Sequence, residues 1–323
     1  MQEEIVVSIL CITYNQKEYL KSALDGCVHQ ETDFAFEIIV HDDASTDGTT
    51  EIIKEYAEKY PALIRPLYEE ENQYSKGNSI ANIMFPYIRG RYVAFCEGDD
   101  YWCDAHKLQK QVNVMREHSS AVACVHNAWK WDCCYQHRTK FSSKKEDGFL
   151  TTEDIIHWDE KGYATASLLV KKEWLIVPRE FQVDGAGDYP RAIYMALHGR
   201  IYYLEECMSV YRCNAIGSWT NTIATDILRY RAYIHNVNRM LQYVDRYSTG
   251  RYHAAISEKQ YLNAYWLVYR EILIGSHRKD YLDVWRSLTV SDRFKVYVLA
   301  YVRPVIDRCR AYRRRLLDRK DTT

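Results

Sequence analysis

Three carboxylates stand within four residues in the stretch FCEGDDYW: Glu97, Asp99 and Asp100, directly after an apolar run from Tyr92 to Cys96. Like charges this close raise one another's pKa unless something positive lies among them. A bound cation, a helix N-terminus or open solvent would each supply the compensation. The cation carries the chemistry: Mg2+ or Mn2+ takes one or two carboxylates and completes its shell with substrate phosphate oxygens. Two further acidic points invite the same question. Asp42-Asp43 ends a second apolar run, and Asp188 in GAGDYP opens a helical pattern behind two glycines. A carboxylate at a helix start is favoured in its ionised form, and glycines on its N-terminal side let the backbone approach a ligand closely. That suits a general base.

The elements that must carry these residues follow from periodicity. Ile5 to Ile12 is a near-continuous apolar run rich in β-branched residues, the mark of a strand buried on both faces, and Thr13-Tyr14-Asn15 ends it. A helix follows with Tyr19, Leu20, Ala23, Leu24, Cys27 and Val28 on one face. Glu37 to Val40 is a second buried strand, and Ser45-Thr46-Asp47 offers N-cap chemistry to a helix carrying Ile52, Ile53, Tyr56 and Ala57. A strand at 64–68, a helix near 79–86 and the strand 92–96 complete the alternation. Strand alternating with helix predicts an α/β fold with a doubly wound, mainly parallel sheet, whose ligands bind beyond the carboxyl ends of the strands. Thr13-Tyr14-Asn15, Asp42-Asp43 and Glu97-Gly98-Asp99-Asp100 should therefore meet along one edge.

Further along, a helix after Lys107 and a strand from Ala121 to Val125 are expected, then an irregular basic loop at 130–148. A strand at 165–170 precedes a helix that starts at Asp188, holds Pro190 in its first turn and stops at Gly199. Arg200–Glu205 and Met208–Cys213 read as two paired strands. Beyond residue 222 the pattern turns helical. Ile223, Ile227, Tyr230, Ile234, Val237, Leu241 and Val244 keep a four-three spacing, which suits a bundle or a homodimer seam. The expected division is 1–128 and 129–221 as two halves of one domain, with 222–323 as a helical extension.

Composition narrows the function. The 323 residues are 47% hydrophobic and 27% charged, ordinary for a globular protein, and 28 are tyrosines, suited to half-wet carbohydrate or interface contacts. The net charge of −1 hides an asymmetry: residues 296–323 carry eight Arg or Lys against three Asp, leaving about −6 on the remainder. The body is thus no nucleic-acid binder, while the basic tail suits an anionic membrane surface. Ten cysteines without a CxxC pair read as reduced thiols in a cytoplasmic setting, not as a disulfide framework or zinc site. MQEEIVVSIL does not look like a secretory signal, and the apolar stretch 296–302 is far shorter than the roughly 20 residues of a membrane span.

Four stretches resemble the family-2 inverting glycosyltransferases of GT-A fold, which use nucleotide sugars: VSILCITYNQKEYLKSAL, IIVHDDASTDGTTEII, the run from Asn72 through GRYVAFCEGDDYW, and GDYPRAIYMALHGRIYYLEECMSVYR. They cover roughly residues 5–219. The resemblance implies that Glu97-Gly98-Asp99 stands for the DxD motif, with Asp99 ligating Mg2+ or Mn2+ on the donor diphosphate and Glu97 facing the ribose or reaching the ion through water. It implies that Asp43 accepts the base N–H of a UDP-sugar, that Thr13 and Asn15 cradle base and ribose, and that Lys76 and Asn78 contact phosphate or base. Asp188 becomes the base that deprotonates the acceptor hydroxyl of a glycan or lipid-linked glycan, in polysaccharide assembly at the inner membrane face. Two departures stand out: Gly187-Asp188 replaces an acidic pair, and Asn214 replaces a histidine expected shortly after Tyr211-Arg212. Arg212 would then supply charge, and Trp219 is an acceptor-stacking candidate.

Two other function classes compete. A Mg-dependent phosphotransferase also gathers acids at strand ends, but its first strand should end in one, and this one ends in Thr13-Tyr14-Asn15. A non-catalytic nucleotide-sugar binder would have no use for a base at Asp188.

Overall fold

The computed structural model describes residues 4–158, 162–184, 187–215 and 226–302. The chain divides into two compact units, Met1–Thr222 and Ile223–Thr323.

The first unit opens with β1 (Ile5–Thr13), α1 (Lys17–Val28), β2 (Ala35–Asp42), α2 (Thr49–Lys59), β3 (Ile64–Tyr68), the short α3 (Ile80–Met84) and β4 (Tyr92–Phe95). It continues through β5 (Tyr101–Trp102), α4 (Lys107–Glu117), β6 (Ala121–Asp132), β7 (His137–Lys140), β8 (Gly148–Phe149), α5 (Thr152–His157), β9 (Leu169–Lys171), α6 (Asp188–His198) and β10 (Arg200–Cys213). All ten strands join one mixed sheet in the order β3-β2-β1-β4-β9-β6-β10-β5, with β7 on β6 and β8 on β10. The pairs β3/β2, β2/β1, β1/β4 and β6/β10 are parallel; β9 runs antiparallel between β4 and β6. Residue 128 lies inside β6, so one sheet runs through the whole unit.

Burial follows the apolar runs. Val7, Ile9 and Cys11 of β1, Ile38 and Val40 of β2, and Tyr92 and Ala94 of β4 share one core with Leu20, Ala23, Leu24 and Cys27 of α1. The strands are tied by Glu37, 1% exposed, which accepts hydrogen bonds from Ser8 Oγ (2.7 Å), Arg65 Nη1 (2.8 Å) and Arg89 Nε (2.7 Å). A buried carboxylate is tolerated here because it is fully bonded and paired with cations.

Four local expectations are corrected. Gly48, at φ 100°, is the N-cap of α2, and Asp47 instead accepts from the Thr49 backbone N–H at 2.9 Å. Residues 130–148 are irregular only from 141 to 147: β6 runs on to Asp132 and folds back as β7, because the Asp132 carboxylate accepts the Cys134 and Tyr135 N–H groups and closes a turn. The stretch 165–170 is a 3-10 turn, Thr165–Ser167, followed by β9, so the strand is shorter and later than expected. Residues 200–213 form one strand, not a hairpin. Register shifts near Glu206-Cys207 bulge it while it stays parallel to β6; those two residues lack the glycine or asparagine a tight hairpin requires.

The second unit holds α7 (Ile227–Tyr247), α8 (His253–Leu273), α9 (Leu282–Ser287), α10 (Val290–Tyr297) and a π-helical turn, Val298–Val302. Tyr230, Ile234, Val237, Leu241 and Val244 of the four-three stripe are buried, and Tyr230 and Ile234 pack on Leu267 of α8. The stripe is thus consumed within the chain rather than left as a seam for a second copy; Ile223 lies outside the described residues. No helix among the described residues is long and apolar enough to cross a membrane.

Candidate active site

The three polar strand ends lie side by side. Thr13 pairs with Asp42 in register, the Asp43 N–H donates to Thr13 O (3.1 Å), and beyond β4 the Gly98 N–H donates to Ile12 O (2.9 Å). The ladder thus continues past the strands and carries Asp43 and Glu97-Gly98-Asp99 to one edge of the sheet. Gly98 is required at this step: a Cβ there would strike Gln16 Oε1 and lie 2.8 Å from Thr13 Oγ1.

None of the three carboxylates in FCEGDDYW is freely solvated. Burial pushes Glu97 well above the ordinary carboxylate range, and the charges of Asp188, Asp99 and Asp100 push it further while Arg191 pulls it back. Burial also raises Asp99, against hydrogen bonds from backbone and Gln16 and the charge of Arg212. Asp100, 1% exposed, is raised by burial and by Asp99; its Oδ1 accepts the Arg212 N–H at 2.9 Å, and its Oδ2 is buried without a partner. Capping by these residues is excluded, since Asp104, not Asp100, bonds the first turn of α4 through the His106 N–H (2.7 Å).

Asp188 joins this cluster from a chain position 91 residues away. It is the first residue of α6, behind an exposed Gly187, and its side chain does not cap the helix. Instead Oδ2 accepts a 2.6 Å hydrogen bond from Thr165 Oγ1, and the side chain stays 45% exposed. Among carboxylates, Asp188 exerts the largest electrostatic effect on Glu97.

The sequence reading missed Arg191. It lies three residues after Asp188 and reads as a first-turn surface arginine. In the fold it is 7% exposed, its guanidinium lies 4.8 Å from the Phe95 ring centroid and 3.8 Å from Asp188 Oδ1, and Nε and Nη1 make no hydrogen bond. The hydroxyl of Tyr163, buried beside it and within its field, is also unbonded. The one signal available was its one-turn spacing from the proposed base, which puts both on the same helix face.

The remaining candidates take more varied places. Both Asp43 oxygens are engaged, accepting the N–H groups of Gln73 (2.7 Å) and Tyr74 (3.1 Å), so Asp43 holds the loop that carries Lys76. Asp42 accepts Ser45 N–H (3.0 Å) and Thr50 Oγ1 and so holds the turn before α2. Thr13 is 1% exposed beneath Gly98, part of the wall rather than its surface. Asn15, at φ 51°, accepts the Thr46 N–H at 2.7 Å and shapes the turn before α2. Lys76 pairs with Glu71, and Asn78 donates to Gln73 Oε1 (2.9 Å), both on an exposed loop. Arg212 donates to Asp99 O (2.6 Å) and Ser22 Oγ (2.8 Å), pinning the acidic turn to α1. Asn214, at φ 60°, donates to Asp132 (3.2 Å). Trp219 and the basic segment 303–323 lie outside the described residues.

The residues suit a divalent cation. Burial raises all three carboxylates, repulsion from neighbouring acids adds to this at Glu97 and Asp100, one buried oxygen of Asp100 lacks any partner, and the Arg212 guanidinium is already committed. No ready-made group of three or more protein ligands exists among the described residues. An ion held by one or two carboxylates and completed by phosphate oxygens fits that donor set.

Comparison with known proteins agrees with this architecture. The family described as Glycosyl transferase family 2 matches residues 8–175. An uncharacterized protein of Mycobacterium tuberculosis is 35% identical over 228 residues, 66% of this chain and 60% of its own length. The UDP-Glc:alpha-D-GlcNAc-diphosphoundecaprenol beta-1,3-glucosyltransferase WfaP of Escherichia coli is 34% identical over 111 residues, 34% of this chain and 41% of that protein. Staphylococcus aureus TarS, solved with UDP-GlcNAc, superposes over 90% of this chain and 79% of its own, with a TM-score of 0.57 at 17% identity. The mannosyltransferase PcManGT of Pyrobaculum calidifontis, solved with GDP-Man and Mn2+, superposes over 93% of this chain and 85% of its own, with a TM-score of 0.54 at 18% identity. The chain thus spans 60% of the length of the mycobacterial relative and shares the GT-A fold of the two structures.

Proposed function

The chain belongs to glycosyl transferase family 2, and from that premise we propose that it moves a hexose or N-acetylhexosamine from a UDP-sugar to a glycan or lipid-linked glycan, with inversion at the anomeric carbon. One observation carries the reading. Asp188 lies within electrostatic reach of the Glu97-Gly98-Asp99-Asp100 cluster, yet its own side chain is bonded to Thr165 and 45% exposed, which supports separate roles for the cluster and for Asp188.

Asp99, with Glu97 beside it, would hold Mg2+ or Mn2+. Once bound, that ion neutralises the diphosphate charge and so favours its departure. Asp43 and Asn15 fix the loops that border the nucleotide, and Lys76 stands on one of them. Asp188 accepts the proton of the acceptor hydroxyl; Thr165 aims it through Oδ2, and Arg191 offsets the neighbouring charge of Glu97. The glycan acceptors named for relatives such as WfaP, and the basic run 303–320, support action on lipid-linked acceptors at the inner face of the membrane.

A donor screen tests this. UDP, GDP, CDP and dTDP sugars are compared by thermal shift with and without Mn2+, then by transfer. Asp188→Asn should lower transfer by about 10²- to 10⁴-fold, the usual size of a general-base contribution, with UDP binding intact. Asp99→Ala should remove the Mn2+-dependent part of UDP stabilisation. Unchanged Mn2+-linked stabilisation in Asp99→Ala, or lost UDP binding in Asp188→Asn, would refute those assignments.

A further inference from the structure

Helix α10 and the turn after it show two contrasting faces. Val296 and Ala300 face inward and pack with Val268, Ile272 and Leu288. On the other side Val290, Phe294, Tyr297 and Tyr301 recur every three or four residues, and they are 79%, 68%, 53% and 51% exposed. A helix whose inner face is already covered gains nothing in water from a second apolar stripe. The stripe is also held rigidly. Thr289 caps the helix by accepting the Asp292 N–H (3.1 Å), and Asp292 accepts Tyr261 OH (2.6 Å) and Lys295 Nζ (2.8 Å). Arg293 donates to the carbonyls of Trp285 (2.9 Å) and Arg286 (2.6 Å), tying α10 to α9.

The sequence that follows directly, residues 303–321, carries eight Arg or Lys against three Asp. We propose that the Val290–Tyr301 stripe is a membrane-docking element that inserts shallowly into an anionic bilayer, favoured by the net positive charge of the sequence that follows it. Three observations favour a lipid surface over a second copy of the chain. The exposed side chains are mostly aromatic, with two tyrosines whose hydroxyls suit the water–hydrocarbon boundary. The neighbouring positive charge complements anionic lipid and would repel the same segment of a second copy. The rest of the chain carries about −6, so the positive charge of the sequence is concentrated next to this stripe. The inference stands apart from the transfer reaction, and its test needs no donor or acceptor.

Full-length protein is floated with vesicles of phosphatidylcholine alone or with about a third phosphatidylglycerol. Binding should need the anionic lipid and weaken severalfold as salt rises from about 0.05 to 0.5 M. Phe294→Ser with Tyr297→Ser should reduce partitioning by about ten- to a hundredfold, the loss expected when a buried aromatic contribution of 1.4–3 kcal/mol is removed. Its melting temperature should not fall, because both side chains are exposed. Changing Arg313, Arg314 and Arg315 together to Gln should weaken binding by a comparable factor. Vesicle binding unaffected by the double serine variant would overturn the insertion of this stripe. So would concentration-dependent dimers in sedimentation that the same variant dissolves, with no vesicle binding, which would make the face a seam between copies.

Discussion

Replacing Gly98 by Ala tests whether the acidic turn is held in place by close packing against the end of β1. The added Cβ would strike Gln16 Oε1 and lie 2.8 Å from Thr13 Oγ1 and 2.9 Å from Thr13 Cβ, closer than real side chains approach. Thr13 cannot yield easily: it is 1% exposed, and its carbonyl accepts the Asp43 N–H. Gln16 can swing away, but it also donates to Asp99, so relief at one place loosens the other. Overpacking of this kind costs about 1–3 kcal/mol. For a unit of this size that lowers the melting temperature by about 2–12 °C. The effect on transfer should exceed the effect on folding, since a displacement approaching 1 Å at a reacting centre costs about 10²-fold in rate. Gly250→Ala is the control: Gly250 has φ +78° and open space around it in the second unit, so it should cost about 1 kcal/mol of backbone strain and no activity. Differential scanning fluorimetry and initial rates at a temperature where both variants are folded separate the two effects. Wild-type melting and wild-type transfer in Gly98→Ala would refute the packing argument.

Two pH effects follow from buried ionisable groups. Burial pushes Glu37 up, but hydrogen bonds from Arg89, Ser8 and Arg65 outweigh it and hold its carboxyl below the usual range. Its stabilisation is therefore present above the unfolded value near 4.3 and lost as pH falls through the lower folded value. Glu37→Gln should cost about 2–4 kcal/mol at pH 7, the lower part of the range for a broken buried pair because both guanidinium groups reach solvent. Its unfolding free energy should then vary less than that of wild type between pH 5 and pH 2 in urea titrations; parallel curves would contradict the argument. Lys107 is fully buried, 3.8 Å from the Trp102 ring and 2.8 Å from Gln111 Oε1, and burial pushes it down to about 7. Between that value and an unfolded value near 10.4 the unfolded chain binds the extra proton, so this group's contribution to stability falls as pH falls. Lys107→Met should gain on wild type by up to about 1.4 kcal/mol per pH unit going from pH 10 towards 7. A constant difference across that range would show that Lys107 stays charged in the fold.

The sheet edge was legible because an apolar run that stops abruptly at polar residues records where a strand leaves the core. Thr13, Asp43 and Glu97 each end such a run, and parallel topology alone obliges the three ends to meet. Asp188 was legible for a related local reason, a helix bounded by Pro190 and Gly199. What stayed hidden depends on partners far away in sequence. The bulged strand β10 looks like two strands until its length is matched to β6, and β7 looks like loop until the Asp132 carboxylate closes its turn. Arg191 is the sharpest case. Its spacing places it beside Asp188, but its burial comes from Phe95 at the end of β4, and its balancing role from Glu97 two residues further on. A single arginine is thus set between two acids that the sequence presents 91 residues apart.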